Sequence, residues 1–472
     1  MKRLVAIAGL AACGATPVLP DAAPSGPHYP RAIPVTAPMP IDGDQFGYRI
    51  ALGGDGRVLA VGVPRDDASP TGITGDRSDP DAGAVYVFTW GGTQWESQAY
   101  LKPRVLDPAD QFGASVGLSA LGDTLVVGAP GEDGGPGHDV EDNSVAGSGA
   151  AYVFKRHGTT WMLQDYLKAA KPGVDDGFGT AVAISADGNT VAVGALGEDS
   201  RATGVDGDPL DNTLTDSGAA YVFTTDGMAW TQAAYLKAAH PDKADRFGED
   251  LALSGDGAVL AIGASGEDSA ALGVGGDQAD NTATNAGAAY VFRRTAGAWA
   301  QEAYLKASNS GTSDGFGLHV ALSGLGTTLV VAAPFEDSAN AHQTDDSIMD
   351  SGAAYVFGFD GAAWTQRAYL KSPTPTVSDQ LGQAVAISAD GHVVAVSAPN
   401  DDGVAMNGGA VYTFSDAAGP WQRAASVTAQ TPAVGAQLGS SLGLSSDGSV
   451  LAIGIALDSA TALEAGSVQV AY

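Results

Sequence analysis

Carboxylates crowd a few stretches of this sequence and are sparse elsewhere. The richest stretch reads LGEDSRATGVDGDPLDNTLTDS from Leu196 and places Glu198, Asp199, Asp206, Asp208, Asp211 and Asp216 beside Asn212. A second stretch places Asp277 and Asp280 beside Asn281, and a third places Asp139, Glu141 and Asp142 beside Asn143. Hard-cation binding is the chemistry that such groups suit best. Calcium takes six to eight oxygen ligands, and these segments offer carboxylates, amides and carbonyls at close spacing. The candidate calcium ligands are therefore Asp206, Asp208, Asp211, Asn212, Asp277, Asp280, Asn281, Asp139, Glu141 and Asp142. Short Asp and Asn side chains also accept backbone N–H bonds and set turns. That second reading fits the groups that recur: the Glu-Asp pairs Glu132-Asp133, Glu198-Asp199, Glu267-Asp268 and Glu336-Asp337, and the aspartates Asp44, Asp110, Asp176, Asp245, Asp314 and Asp379. A residue repeated in unit after unit is a building part, not a unique site.

Other chemistries find little footing. The seven histidines are scattered and never take a metal-ligand spacing, although His138 and His342 stand close to acids. The formal net charge of −31, from 54 acidic against 23 basic residues, argues against nucleic acid as a partner. Calcium is the only cofactor expected, and a single chain with no oligomer is anticipated.

The elements that carry these loops repeat. GAAYVF begins at Gly149, Gly218, Gly287 and Gly352, with looser versions from Gly83 and Gly408. A Phe-Gly or Leu-Gly pair recurs at Phe46, Phe112, Phe178, Phe247, Phe316, Leu381 and Leu438, every 57 to 69 residues. A fixed period of this length marks an array of supersecondary units. Each unit holds four strand-like segments, A to D. In the third they are Thr180 to Ser185, Thr190 to Ala195, Gly218 to Phe223 and Trp230 to Ala238, with an Asp187-Gly188 hairpin turn between the first two. Segments A to C are apolar on both faces, as sheets packed between two others must be. The expected fold is all-β: a seven-bladed β-propeller of four-stranded antiparallel blades. The seventh unit lacks a Trp-led segment D. IPVTAP from Ile33 resembles ASVTAQ from Ala425, so residues 33–40 are expected to complete the last blade and close the ring. The acidic stretches then fall in the long B–C and D–A loops of one face. Six tryptophans (Trp95, Trp161, Trp230, Trp299, Trp364 and Trp421) open segment D and should pack between sheets, with Trp90 outside the series. The recurring lysines (Lys102, Lys168, Lys237, Lys306 and Lys371) are expected to snorkel or to pair with the acidic loops.

These phrases resemble the FG-GAP repeat of integrin α-subunit propellers and their bacterial relatives. Unit two carries the name literally, with Phe112-Gly113 and then Gly128-Ala129-Pro130. The resemblance implies extracellular recognition or adhesion. Family members hold calcium in Asp-x-Asp-x-Asp-Gly loops between strands A and B. Here those turns read GGDG, SALGD, SADG, SGDG, SGLG, SADG and SSDG, too short to wrap a cation, and the family's metal sites do not carry over.

The start of the chain has its own signals. Met1-Lys2-Arg3 precedes an apolar run, and LAAC up to Cys13 resembles the bacterial lipobox, in which the signal is removed before a cysteine that takes up lipid. Cys13 is the sole cysteine. Residues 1–12 are read as a signal peptide, 13–32 as the lipidated Cys13 and a proline-rich tether, and 33–472 as the propeller. Membrane contact is expected only through the lipid, at the bacterial outer membrane or cell surface. The function expected is a non-enzymatic, adhesion-type binding protein for an extracellular protein or polysaccharide. The alternative is an enzyme acting on an envelope polysaccharide with acids near the channel.

Overall fold

The computed structural model describes residues 26–68, 79–103, 105, 107–137, 139–339, 343 and 345–472. Cys13, His138 and His342 lie outside them. Twenty-eight strands form seven separate four-stranded antiparallel sheets, and among the described residues there is no helix. Every sheet has its strands in the order A-B-C-D. In the third blade they are Phe178–Ile184, Thr190–Ala195, Ala219–Thr225 and Trp230–Leu236. The A strands of neighbouring blades lie against one another all the way round, blade seven against blade one. They are therefore the innermost strands of a closed ring.

The clasp forms as the sequence implies. Ala32–Val35 pairs antiparallel with Ser467–Ala471, the C strand of blade seven, in the register Ala32 to Ala471 and Val35 to Val468. Tyr472 N–H donates to the Arg31 carbonyl at 2.9 Å. Trp90, outside the tryptophan series, is half-buried: its ring lies 5.7 Å from that of Trp95 and 5.3 Å from that of Tyr472.

The Phe-Gly phrase has a packing cause. Phe46, Phe112, Phe178, Phe247 and Phe316, with Leu381 and Leu438, are wholly buried. Phe178 sits in one apolar cluster with Val153 of blade two and Tyr221 of its own blade, meeting Tyr221 edge-on at 5.3 Å. Burying such a ring is worth about 2–3 kcal/mol. The glycines are needed because backbones touch. Gly248 has φ +96°, and a Cβ on Gly194 of blade three would collide with the Gly248 carbonyl oxygen of blade four. Blades five and six carry Ala332 and Ser397 where blade three has Gly194, and the blades that follow them carry Leu-Gly in place of Phe-Gly. The two degenerate phrases are thus degenerate at the same junctions.

On the short-turn face the A–B turns join one another around the axis by backbone hydrogen bonds. Gly54 donates to Ala120, Ala120 to Ala186, Ala186 to Gly255, Gly255 to Gly324, Ala389 to Ser446 and Ser446 to Gly54, at 2.8–3.1 Å.

Candidate functional site

On the opposite face the B–C and D–A loops meet. The acids there divide into those that hold the blades and those that remain available to a ligand. In each Glu-Asp pair the glutamate turns inward. Glu132, Glu198, Glu267 and Glu336 accept from Lys168, Lys237, Lys306 and Lys371 at 2.7, 2.6, 2.7 and 2.9 Å. The Tyr166, Tyr235 and Tyr304 hydroxyls donate to the same first three carboxylates at 2.6–2.7 Å. Asp66 and Lys102 play these parts in blade one, 2.9 Å apart. The lysines therefore pair and do not snorkel: the Lys237 and Lys306 side chains have no exposed surface. Burial pulls the Lys168, Lys237, Lys306 and Lys371 ammoniums below their ordinary range, against the opposing pull of the glutamates.

The second acid of each pair sets a turn. Asp133, Asp199, Asp268 and Asp337 accept from the backbone N–H of Gly147, Asp216, Asn285 and Asp350, residues held at φ 52–58° where strand C begins. The aspartates before Phe-Gly close the D–A loops. Asp110, Asp176, Asp245, Asp314 and Asp379 each accept from the N–H three residues earlier, at 2.6–3.1 Å. Burial pushes Asp110, Asp176 and Asp314 up to about 7 and Asp245 to about 8.

Most of the calcium candidates are also engaged. Asp139 accepts from Glu141 N–H, Asp142 from Ser144 N–H, Asp208 from Leu210 N–H and Asp211 from the Thr213 hydroxyl. Asp277 accepts from Ala279 N–H and Asp280 from Ala270 N–H, while Asn281 donates to Asp242 and Asn212 is exposed. Asp206 reaches strand D instead, accepting from Tyr235 N–H at 2.9 Å. The inserts of blades three and four thereby line the outer edges of their own blades, with bridges Val205 to Leu236 and Val274 to Leu305. Covering an edge strand in this way blocks pairing with a foreign strand. Among the described residues no group of three or more His, Cys, Asp or Glu side chains converges as a metal would need. The residues present do not fit a preformed calcium cage.

Several departures from the repeat meet between blades four and five. A cavity of about 370 Å³ opens there, lined by Arg246, Ser265, Asn285, Gly315, Phe335 and Asp350 among others. The position before Phe-Gly or Leu-Gly is Gln in four blades and Gly in two, but Arg246 in blade four. The residue that follows the Gly-Ala-Pro position is Phe335 in blade five, and its ring rests on Gly315, where a Cβ would stand 3.1 Å from a ring carbon. Ser265 donates to the Glu249 carboxylate, whose other oxygen lies 3.9 Å from Arg246. Beside them Asp250 lies 3.5 Å from His319 of the next blade. Glu249, Asp250 and His319 occupy A-strand positions held by other residue types elsewhere. Reading the acids alone overlooks this group. The signal that reveals it is the departure of one copy from its six siblings.

Fold and site together define a seven-bladed propeller with a pocket between blades four and five on its long-loop face. A model of the FG-GAP repeat matches residues 95–154, 230–292, 299–357 and 364–414. The chain is an FG-GAP repeat protein. Each match runs from the tryptophan of one strand D into strand C of the next blade, so the family unit straddles a blade junction. No curated protein matches the chain. The fold suggests a binding or adhesion-type protein.

Proposed function

We propose that this protein is a lipid-anchored, non-enzymatic binding protein of the bacterial envelope, and that its long-loop face receives an extracellular protein or polysaccharide. The observation that supports this is the division of labour on that face. Repeated acids are taken up in ion pairs and turns, while Arg246 and Phe335, residue types that the other blades do not carry at these places, line one pocket together with Asp350. A concave site with an aromatic wall and a few convergent polar groups is the usual form of a binding pocket. In this reading calcium is only a weakly held surface ion on the inserts, and calorimetry with calcium chloride that gives no heat removes it.

The test is binding of envelope glycans and cell-surface proteins to the immobilised chain. Arg246→Ala and Asp350→Asn are expected to weaken capture at least tenfold while the fold is retained. Unchanged capture by both variants overturns the assignment of the site. Turnover of a polysaccharide, abolished by changing a single carboxylate pair, would make the protein an enzyme instead. Cys13→Ser is expected to move the protein from the membrane fraction to the soluble one, and continued membrane association would remove the anchor.

A further inference from the structure

The first described residues fix where the chain enters the ring. Strand C of blade seven, Ser467–Ala471, starts at the long-loop face and ends at the short-turn face. Its partner Ala32–Val35 runs the other way, with Ala32 opposite Ala471, so the clasp begins at the short-turn face. The residues before it stay at that face. The Tyr29 hydroxyl donates at 2.6 Å to the Gly448 carbonyl, in the A–B turn of blade seven. Its ring packs against the apolar cluster that holds Leu438, Leu451 and Ile453. A Cβ on Gly26 would stand 2.6 Å from the Cβ of Ala424 and 3.1 Å from that of Ser415, two residues that flank the C–D turn of blade six. Residues 26–31 are thus moored across blades six and seven, and the chain ahead of Gly26 sets out from the short-turn side.

A lipid on Cys13 would pull on that side. From Cys13 to Gly26 the chain spans at most about 45 Å in any conformation. A seven-residue strand such as Trp230–Leu236 is about 23 Å long. Bringing the long loops to a bilayer would therefore use about half of that reach along the outside of a blade, before the loops themselves are counted. Charge acts in the same direction. Arg57, Arg156, Arg294 and Arg423 stand at the short-turn end, in an A–B turn and at strand ends beside C–D turns. The acids of that end are single turn residues such as Asp187 and Asp226, whereas the long loops carry acid upon acid, with Asp206, Asp208 and Asp211 all exposed in blade three. Anionic headgroups attract arginines and repel such loops, over a screening length of about 8–10 Å.

We infer that the short-turn face is the surface turned toward an anionic phospholipid bilayer, with these four arginines nearest the headgroups, and that the long-loop face with its pocket is presented away from it. This orientation rests on the lipid anchor proposed above, which by itself leaves either face free to meet the bilayer.

The experiment is energy transfer from single fluorophores on the lipidated full-length protein to a headgroup-labelled acceptor lipid, in vesicles of phosphatidylethanolamine and phosphatidylglycerol. Met228→Cys puts a label on the C–D turn of blade three and Leu210→Cys puts one on its B–C insert, at side chains that are 86% and 67% exposed. Cys13 is blocked by its lipid, so each variant offers one reactive thiol, and both variants are expected to keep the parent's circular dichroism. Transfer from position 228 is expected to exceed that from position 210 at least twofold. The excess is expected to shrink on vesicles of phosphatidylcholine alone and in the Arg57→Glu/Arg294→Glu variant. Equal transfer from both labels, or more from position 210, in protein that floats with the vesicles overturns the orientation and leaves the anchor standing. An excess that is the same on neutral lipid overturns the part given to the arginines. Protein that does not float with the vesicles removes the anchor, and the orientation with it.

Discussion

The Lys237 ammonium lies 2.6 Å from a carboxylate oxygen of Glu198, 39 residues earlier in the chain, and neither side chain is open to water. The pair ties strand D of blade three to its own B–C loop. Taking one partner away leaves a buried charge uncompensated, which costs about 3–5 kcal/mol. Glu198→Gln and Lys237→Met are each expected to speed hydrogen exchange across blade three by that amount. The double variant Glu198→Leu/Lys237→Met is expected to recover most of the loss. Additive losses would show that the two groups do not act as a pair.

Trp299 offers a gain in stability. Its indole N–H is buried without an acceptor. The equivalent N–H of Trp161 donates to Gln98 at 3.0 Å and that of Trp364 to Glu302 at 2.9 Å, both on strand D of the preceding blade. Blade three has Ala233 at this place, an exposed residue. Ala233→Gln is expected to supply the acceptor and stabilise by about 1 kcal/mol, read from chemical denaturation. No gain would mean that water already fills the role.

Stability is expected to fall as pH rises from about 4 to about 8. Burial holds the folded Asp110, Asp176 and Asp314 carboxyls up to about 7 and Asp245 to about 8. An unfolded aspartate titrates near 4. The folded chain therefore binds more protons through this window. The contribution is full below the unfolded value and lost as pH passes through 7 to 8. Thermal unfolding followed by circular dichroism reads the slope, and Asp245→Asn is expected to flatten it. A melting temperature that rises with pH would show these groups ionised in the fold.

Deleting residues 1–40 removes the Ala32–Val35 strand and bares the edge of Ser467–Ala471. The shortened chain is expected to melt lower and to associate through that edge. A peptide of residues 27–40 added in trans is expected to restore the parent's melting temperature. Equal stability without the segment would mean that the clasp is dispensable.

Much of this architecture was legible because the chain states it seven times. Ring closure followed from a missing segment at one end and a matching one, Ile33 to Pro38, at the other. In the third blade the strand boundaries held to within one or two residues, while the closing strand ends at Val35, three residues before Pro38. The Lys237–Glu198 pair was only half legible. Recurring lysines and recurring glutamates were both visible, but charge favours the surface, and nothing local to either residue says that both are buried. A hint lies in blade six, where the acid shortens to Asp401 and the tyrosine and lysine of strand D become Ser426 and Thr428 together; Tyr412 donates to Asp401 at 2.6 Å instead. The calcium candidates attracted notice by composition. Asp139, Asp142, Asp208 and Asp277 each accept from an N–H two residues on, a distinction set by backbone turns that composition does not carry. Cys13 and the lipid it is expected to bear lie outside the described residues.

The clasp also sets an order of assembly. Ala32 leaves the ribosome early and meets Ala471 only after more than four hundred further residues have been made. The entropic cost of joining such distant points grows only with the logarithm of the separation, so the delay is one of waiting more than of energy. Early blades can settle one upon another during synthesis, yet the final sheet has to wait for both ends. A chain broken off before Ser467 leaves Ala32–Val35 without the strand it pairs with, so the last sheet stays incomplete.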